Sequence, residues 1–168
     1  MKRLLSVLLV LSIVLGVMAS PSFAEAKAKS TSEIYSAIEE AYGSNFPLSS
    51  SNMIKTERKN IFGKYSRVLG VYAKYFSSYT AAQKSNSKEE YMCFICKATS
   101  SKAVKKIKKQ MKKYVVNEYK GNINYHSDLG NKLLKKAKVG SKGKFVYLFV
   151  LDTSGNSKAI SAFKESLS

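Results

Sequence analysis

Histidine, cysteine and tryptophan are scarce in this sequence of 168 residues, which contains one His, two Cys and no Trp. A zinc site needs several His, Cys or carboxylate ligands, and a chain with a single His and no cluster of acids does not supply them. The sequence also lacks the nucleophile-elbow pattern G-x-S-x-G and the phosphate-binding patterns G-x-x-x-x-G-K and G-x-G-x-x-G. These absences predict a protein without a catalytic site, a metal site or a cofactor.

Acidic residues are scarce as well, since 29 Lys and Arg face only 11 Asp and Glu, which gives a net charge of +18. Hydrophobic residues make up 45% of the chain and aromatic residues 11%, and this content argues against a disordered protein. The length suits one domain of ordinary size. The composition therefore predicts a folded and strongly basic domain.

The longest apolar stretch, residues 4–17, is shorter than the roughly 20 residues that a membrane-spanning helix needs. A short basic start precedes it, and Ser22-Phe23-Ala24 follows as a cleavage site of the A-x-A type. This arrangement is typical of a secretory signal peptide that covers residues 1–24 and is removed after its last residue. An uncleaved membrane anchor is the alternative. We expect a secreted, extracytoplasmic protein in which residues 25–30 form a frayed leader.

Hydrophobic spacing and turn residues predict the elements of the remaining chain. Ser30 and Glu33 form a capping-box pattern at the start of a first helix, which Gly43 ends. Residues 64–82 suit a helix and a strand equally well, and the sequence leaves this choice open. The other predicted elements are a helix at 52–61, a loop at 82–88, central strands at 91–96 and 145–151, helices at 101–119 and 128–135, a strand at 136–139, a turn at 140–143 and a closing helix after 156.

Helices interspersed with a few short strands predict an α+β fold. We expect a small, mostly antiparallel sheet with helices packed against it, in a single domain that covers residues 31–168.

The two cysteines form a C-x-x-C pattern, Cys93-Phe94-Ile95-Cys96, inside a predicted strand. Residues three apart in a strand point to opposite faces, and at about 3.3 Å per residue their Cα atoms lie about 10 Å apart. A disulfide requires Cα atoms within about 7 Å. We therefore expect two buried, reduced cysteines. A redox pair is the alternative if the segment forms a turn.

His126-Ser127-Asp128 places a base, a nucleophile and an acid next to one another. Catalytic triads are assembled in space from distant positions, so adjacency in sequence does not predict one. We expect His126 to lie in a polar loop. An exported enzyme with an unrecognised site near His126 remains the alternative function.

Lysines are concentrated in two stretches that contain no acidic residue, 99–113 and 132–144. In the first stretch they surround a predicted buried stripe of Val104, Ile107, Met111 and Tyr114, which leaves a broad cationic helix face. The residues predicted to bind anions are Lys102, Lys105, Lys106, Lys108, Lys109, Lys112, Lys113, Lys135, Lys136 and Lys138. A merely solvated, lysine-rich surface, or one that reflects genome composition, is the alternative.

Acid-free basic stretches favour attraction to a polyanion. Nucleic acid is not the expected partner, because only Arg58 and Arg67 supply guanidinium groups after the predicted signal peptide. For an exported protein the nearest polyanions are anionic cell-wall polymers and anionic lipid surfaces. We expect a non-enzymatic binding or interaction domain at the cell envelope. A second envelope protein is a further candidate partner.

Local patterns carry a resemblance to a known family. Ile61-Phe62-Gly63 follows the amphipathic opening helices, and residues 136–139 lead into Gly143-Lys144-Phe145-Val146-Tyr147 in the predicted hairpin. The chain resembles domain-of-unknown-function family 4358 over about residues 34–167. The resemblance implies an extracytoplasmic α+β domain of a Gram-positive bacterium with no established activity. Many members resemble lipid-anchored proteins, but no Cys follows the apolar stretch of this chain to accept a lipid.

Overall fold

A computed structural model describes most of the chain after the predicted signal peptide. The described residues are 29–48, 50–54, 66–85, 89–121 and 126–168. The predicted signal peptide and residues 25–28 of the predicted leader lie outside them.

The first helix, α1, covers Thr31–Tyr42 and begins at the predicted capping box. The backbone N–H of Glu33 donates to Ser30 Oγ, while the Glu33 carboxylate accepts from the backbone N–H of Ser30. These two hydrogen bonds satisfy amides that an uncapped helix end would leave without partners. The α1 prediction is therefore confirmed.

A four-stranded antiparallel sheet forms the centre of the molecule. Its strands lie in the order β3 (Phe76–Ser85), β4 (Glu90–Ala98), β6 (Phe145–Val150) and β5 (Lys138–Lys142). Both predicted central strands, β4 and β6, do occupy the two central positions. Their apolar runs require cover on both faces, and only a central strand receives it.

Three further helices follow the chain order. They are α2 (Ser101–Gly121), α3 (Asp128–Lys135) and α4 (Thr153–Glu165). Ser100 caps the start of α2, because its Oγ accepts from the backbone N–H of Ala103. Ser127 and Asp152 cap α3 and α4 in the same way, and their side chains accept from the backbone N–H of Gly130 and Gly155. All three helices confirm predicted elements, with shifts of a few residues at the ends.

The sheet separates two hydrophobic layers. Residues Met92, Phe94 and Cys96 of β4 face α2 and α3, whereas Cys93 and Ile95 face α1 and α4. We call these the α2 layer and the α4 layer. Helices thus cover both faces of an antiparallel sheet, which confirms the predicted α+β class. Within the described residues, no helix combines the length and the apolar content needed to cross a bilayer.

The region that the sequence left open, 64–82, is strand rather than helix where the structure describes it. A two-stranded ribbon, β1 (Arg67–Val68) and β2 (Val71–Tyr72), is followed by a single 3-10 turn and then by β3. Gly70 turns the ribbon with a φ of 77°, a conformation that favours glycine.

Three predictions around the strands are wrong in part. The start of the predicted helix 52–61 runs beside β3, where Met53 bridges Ala82; residues 55–61 lie outside the described part. Strand β3 continues through the predicted loop 82–88 as far as Ser85, because it pairs with β4 along that length. The predicted turn 140–143 is mostly strand, since Gly140 pairs with Tyr147 and leaves room for its ring.

Candidate anion-binding cleft

Helix α2 presents its lysines outward because its apolar stripe is held in the α2 layer. Val104, Ile107 and Met111 are buried, as predicted, and Tyr114 is half-buried. Of the seven lysines of the first basic stretch, Lys108 is half-buried and the others are exposed. The predicted cationic face therefore exists on this helix.

The β1–β2 ribbon is attached to α2 on one flank. The backbone N–H of Tyr72 donates to Gln110 Oε1 over 3.3 Å. At Gly70 the ribbon approaches so closely that an added Cβ would lie 2.8 Å from Tyr114 Cβ. Burial, with a smaller contribution from Glu118, raises the pKa of Tyr114 to about 12, so this phenol is neutral at physiological pH.

A cleft of about 400 Å³ lies between the ribbon and α2. We call it the basic cleft. Its lining consists of four cationic side chains, three tyrosines, two amides and one glycine: Arg67, Lys106, Lys109, Lys113, Tyr72, Tyr75, Tyr114, Gln110, Asn117 and Gly70. None of these described lining residues is acidic. The basic cleft therefore combines positive charge with neutral hydrogen-bond donors in a concave surface.

Aromatic rings hold two of the lining cations in place. The Arg67 guanidinium lies 4.1 Å from the centre of the Tyr72 ring and donates to the Tyr72 hydroxyl. Lys106 Nζ lies 5.1 Å from the centre of the Tyr75 ring. Lys74 lies over the same two rings, at 5.5 and 5.3 Å. Such contacts contribute about 0.5–1 kcal/mol each at exposed sites and reduce the freedom that an anion would have to remove on binding.

The structure divides the ten predicted anion-binding lysines among several places. Lys106, Lys109 and Lys113 line the basic cleft. Lys112 lies on the opposite flank of α2, where it shares a groove with Lys135. The other three predicted residues on α2 lie outside both concavities. Lys102 and Lys105 are exposed, and Lys108 is half-buried.

Two of the ten predicted residues lie away from α2. Lys136 caps the end of α3, and its carbonyl accepts from Asn156 Nδ2. The hydrogen bond from the backbone N–H of Gly155 lowers the pKa of Asp152 most, and the charge of Lys136 adds a smaller contribution. Lys138 is the exposed first residue of β5, an edge strand of the sheet. A lysine on an edge strand also discourages pairing with another chain. Lys136 and Lys138 therefore do not line the basic cleft.

Sequence reasoning missed the part of the basic cleft that the ribbon supplies. Arg67, Tyr72 and Tyr75 lie in the segment whose secondary structure was left open, so no face could be assigned to them. A signal was present, because 67–75 combines two cations with two tyrosines and no acid. No sequence pattern indicated that Gln110 would line a binding site.

The two cysteines are buried and reduced, as predicted. Cys93 lies in the α4 layer and Cys96 in the α2 layer, so β4 directs them to opposite faces. Burial raises the pKa of both thiols, which keeps them protonated.

His126 lies in the bend just before α3, in a loop as expected, but its side chain packs against Glu90 instead of facing solvent. Its Nδ1 is 3.0 Å from Glu90 Oε1, and the two side chains are only 10% and 3% exposed. Burial raises the pKa of Glu90 above its ordinary value, against hydrogen bonds from Ser85 and His126. Ser127 caps α3 by accepting from the backbone N–H of Gly130. An enzymatic role for this region stays a prediction.

Among the described residues, no group of three or more His, Cys, Asp or Glu side chains lies close enough together to hold a metal ion. Comparison of the chain with protein-family models, with curated proteins and with solved structures finds no match, so the resemblance to domain-of-unknown-function family 4358 stays a prediction.

Proposed function

We propose that this protein is a non-enzymatic, extracytoplasmic binding domain whose basic cleft binds anionic polymers of the cell envelope. The observation that carries the proposal is the set of Arg67, Lys106, Lys109 and Lys113 around one concave surface without an acidic neighbour in its described lining. A phosphate-containing polymer offers repeated anions that several cations can bind at once. Export rests on the predicted signal peptide, which precedes the described residues.

The chemistry of the basic cleft favours a flexible polyanion over a single small anion. Lysine ammonium groups act as point charges and do not impose the bidentate geometry that arginine imposes. The cleft supplies three lysines and one arginine, with Gln110 and Asn117 as neutral hydrogen-bonding groups. Exposed lysines at other positions of α2 extend the positive surface beyond the cleft. A long polymer can therefore bind in the cleft and continue along the helix.

Binding to purified Gram-positive cell walls tests the proposal. Walls are compared before and after acid extraction of their phosphate-containing polymers, across a series of NaCl concentrations. For nucleic acid backbones each charge–phosphate contact contributes roughly 0.7–0.9 to the slope of log K against log salt. We expect polymer-dependent binding that weakens with salt.

A triple variant, Lys106→Gln, Lys109→Gln and Lys113→Gln, removes the lysines of the basic cleft. We expect it to lower affinity about tenfold at low salt and to reduce the salt slope by about 2, because three contacts are lost. The matched control changes three exposed lysines away from the cleft: Lys144, Lys158 and Lys164. The control removes the same net charge and should bind nearly as the natural protein does.

Three outcomes would contradict the proposal. Equal weakening by both triple variants would show attraction to net charge alone. Undiminished binding to extracted walls would indicate a different wall component. Binding to phosphatidylglycerol vesicles but not to walls would indicate the anionic lipid surface as the partner.

A further inference from the structure

The opposite flank of α2 borders a second concavity, which is apolar where the basic cleft is charged. It has a volume of about 350 Å³ and lies between the end of α2, α3 and the start of β5. We call it the apolar groove. Its walls include Val115, Val116 and Leu134, and its rim carries Tyr119, Lys112 and Lys135. A volume near 300 Å³ is at the lower end of the range for small-molecule sites.

Exposure of Val116 indicates that the apolar groove opens to solvent. Val116 is 46% exposed, and Val116 and Leu129 are the two large hydrophobic residues exposed to this degree in the part of the chain that the structure describes. An isolated exposed Val is ordinary on a protein surface. Val116 is not isolated, because it continues into a concave wall formed by two helices and a strand.

The rim of the groove defines the charge of its occupant. Lys112 and Lys135 line the same concavity, and none of the described lining residues is acidic. Lys135 Nζ lies 5.4 Å from the centre of the Tyr119 ring, a contact that holds the cation at the rim. The complementary ligand has an apolar body and an anionic end. A carboxylate offers two acceptor oxygens, one for each ammonium group.

We infer that the apolar groove binds a single fatty carboxylate, with its alkyl chain along Val115, Val116 and Leu134 and its carboxylate between Lys112 and Lys135. The concave shape suits one alkyl chain, whereas insertion into a bilayer requires apolar side chains that protrude. This inference does not depend on the polymer-binding proposal, because the two concavities use different residues of α2.

Calorimetric titration with dodecanoate below its micelle concentration tests the inference on the purified protein. We expect saturable binding of one dodecanoate per chain. Dodecyl maltoside, which has the same alkyl chain and a neutral head, should bind at least about tenfold more weakly, because it leaves the two ammonium groups without an anion. Hexanoate should bind weakly, because it buries less apolar surface.

Two exposed residues provide a matched pair of variants. Val116→Glu places a carboxylate in the groove and should lower dodecanoate affinity about tenfold or more, through repulsion and lost apolar contact. Leu129→Glu makes a comparable change at a residue that is also 46% exposed but does not line the groove, and it should leave affinity unchanged. Both sites are exposed enough that folding should persist, which circular dichroism verifies.

A double variant, Lys112→Gln and Lys135→Gln, separates the head-group contacts from the apolar contacts. We expect it to weaken dodecanoate severalfold and to leave dodecyl maltoside unchanged. The inference is overturned if dodecanoate binding does not saturate, if Val116→Glu leaves it unchanged, or if the neutral and anionic amphiphiles bind equally. It is also overturned if Val116→Glu weakens binding to phosphatidylglycerol vesicles while monomeric dodecanoate does not bind, because a membrane would then be the occupant.

Discussion

Replacement of the seven lysines between residues 102 and 113 of α2 by glutamine should make the fold more stable, although it removes the proposed polymer-binding surface. Within the helix, like charges oppose each other at a spacing of four residues. These pairs are Lys102–Lys106, Lys105–Lys109, Lys108–Lys112 and Lys109–Lys113. No acidic residue in the first turn offsets the positive end of the helix dipole.

The size of the effect follows from these contacts. A like-charge pair at this spacing destabilises a helix by about 0.2–0.5 kcal/mol, so relief of four pairs contributes about 1–2 kcal/mol. Loss of the contact between Lys106 and the Tyr75 ring opposes this by about 0.5–1 kcal/mol. Glutamine and lysine have similar helix propensities, which leaves the backbone contribution unchanged. The net expectation is a gain of about 1 kcal/mol in the free energy of unfolding.

Urea denaturation of both proteins, at low salt and at high salt, measures this difference. Salt shortens the range of charge repulsion from about 10 Å at 0.1 M to about 3 Å at 1 M. The variant should be more stable at low salt, and the difference should shrink as salt is added. A variant that is equally or less stable at low salt would refute the reasoning, because the lysines would then contribute to the fold. If the variant is more stable but no longer binds walls, the lysines lower the stability of the fold and serve binding instead.

Three further changes test single sites by urea denaturation. Glu90→Gln should become more stable relative to the natural protein as pH rises above about 4.3. Burial raises the folded pKa of Glu90, so ionisation of this carboxyl group opposes folding of the natural protein. A stability difference that does not change with pH would contradict this expectation. Asp152→Ala should cost about 1 kcal/mol at neutral pH through loss of the α4 cap to Gly155. That cost should shrink as pH falls below about 4. Hydrogen bonds lower the folded pKa of Asp152, so protonation of this carboxylate in the natural protein removes the stability that they provide. A cost that is unchanged at pH 3 would contradict this expectation. Gly70→Ala should lower the free energy of unfolding by about 1–2 kcal/mol, because the positive φ and the contact with Tyr114 both disfavour a Cβ. The same variant should weaken wall binding. Unchanged wall binding would show that the ribbon does not contribute to the binding site.

The sequence was most informative where one local pattern decides the structure. The apolar run of β4 predicts a central strand, because a strand that is apolar on both faces needs cover on both. The stripe of Val104, Ile107 and Met111 predicts both the burial of α2 and the outward direction of its lysines. These two elements supply one central strand of the sheet and one wall of the basic cleft.

The remaining features depend on contacts between distant residues. Tyr72 fits both a helix and a strand by spacing, and the hydrogen bond from its backbone N–H to Gln110 accompanies its place in the strand β2. Gly140 has the composition of a turn, but its pairing with Tyr147 places it within β5. The contact of Glu90 with His126 joins the start of β4 to the loop before α3, 36 residues later in the sequence, and no local pattern predicts it. In each case tertiary contact outweighs local preference.

Because Cys93 and Cys96 point to opposite faces of the sheet, their reactivities can report separately on the opening of the two hydrophobic layers. Each thiol lies in a different layer, and each is fully shielded in the closed state. A thiol reagent reacts only when the layer around its target opens, so the two modification rates measure the opening of each layer separately. Peptide mapping after timed exposure would distinguish them. Equal rates would mean that the molecule opens as one cooperative unit, whereas faster modification of Cys96 would mean that the side bearing both concavities loosens first.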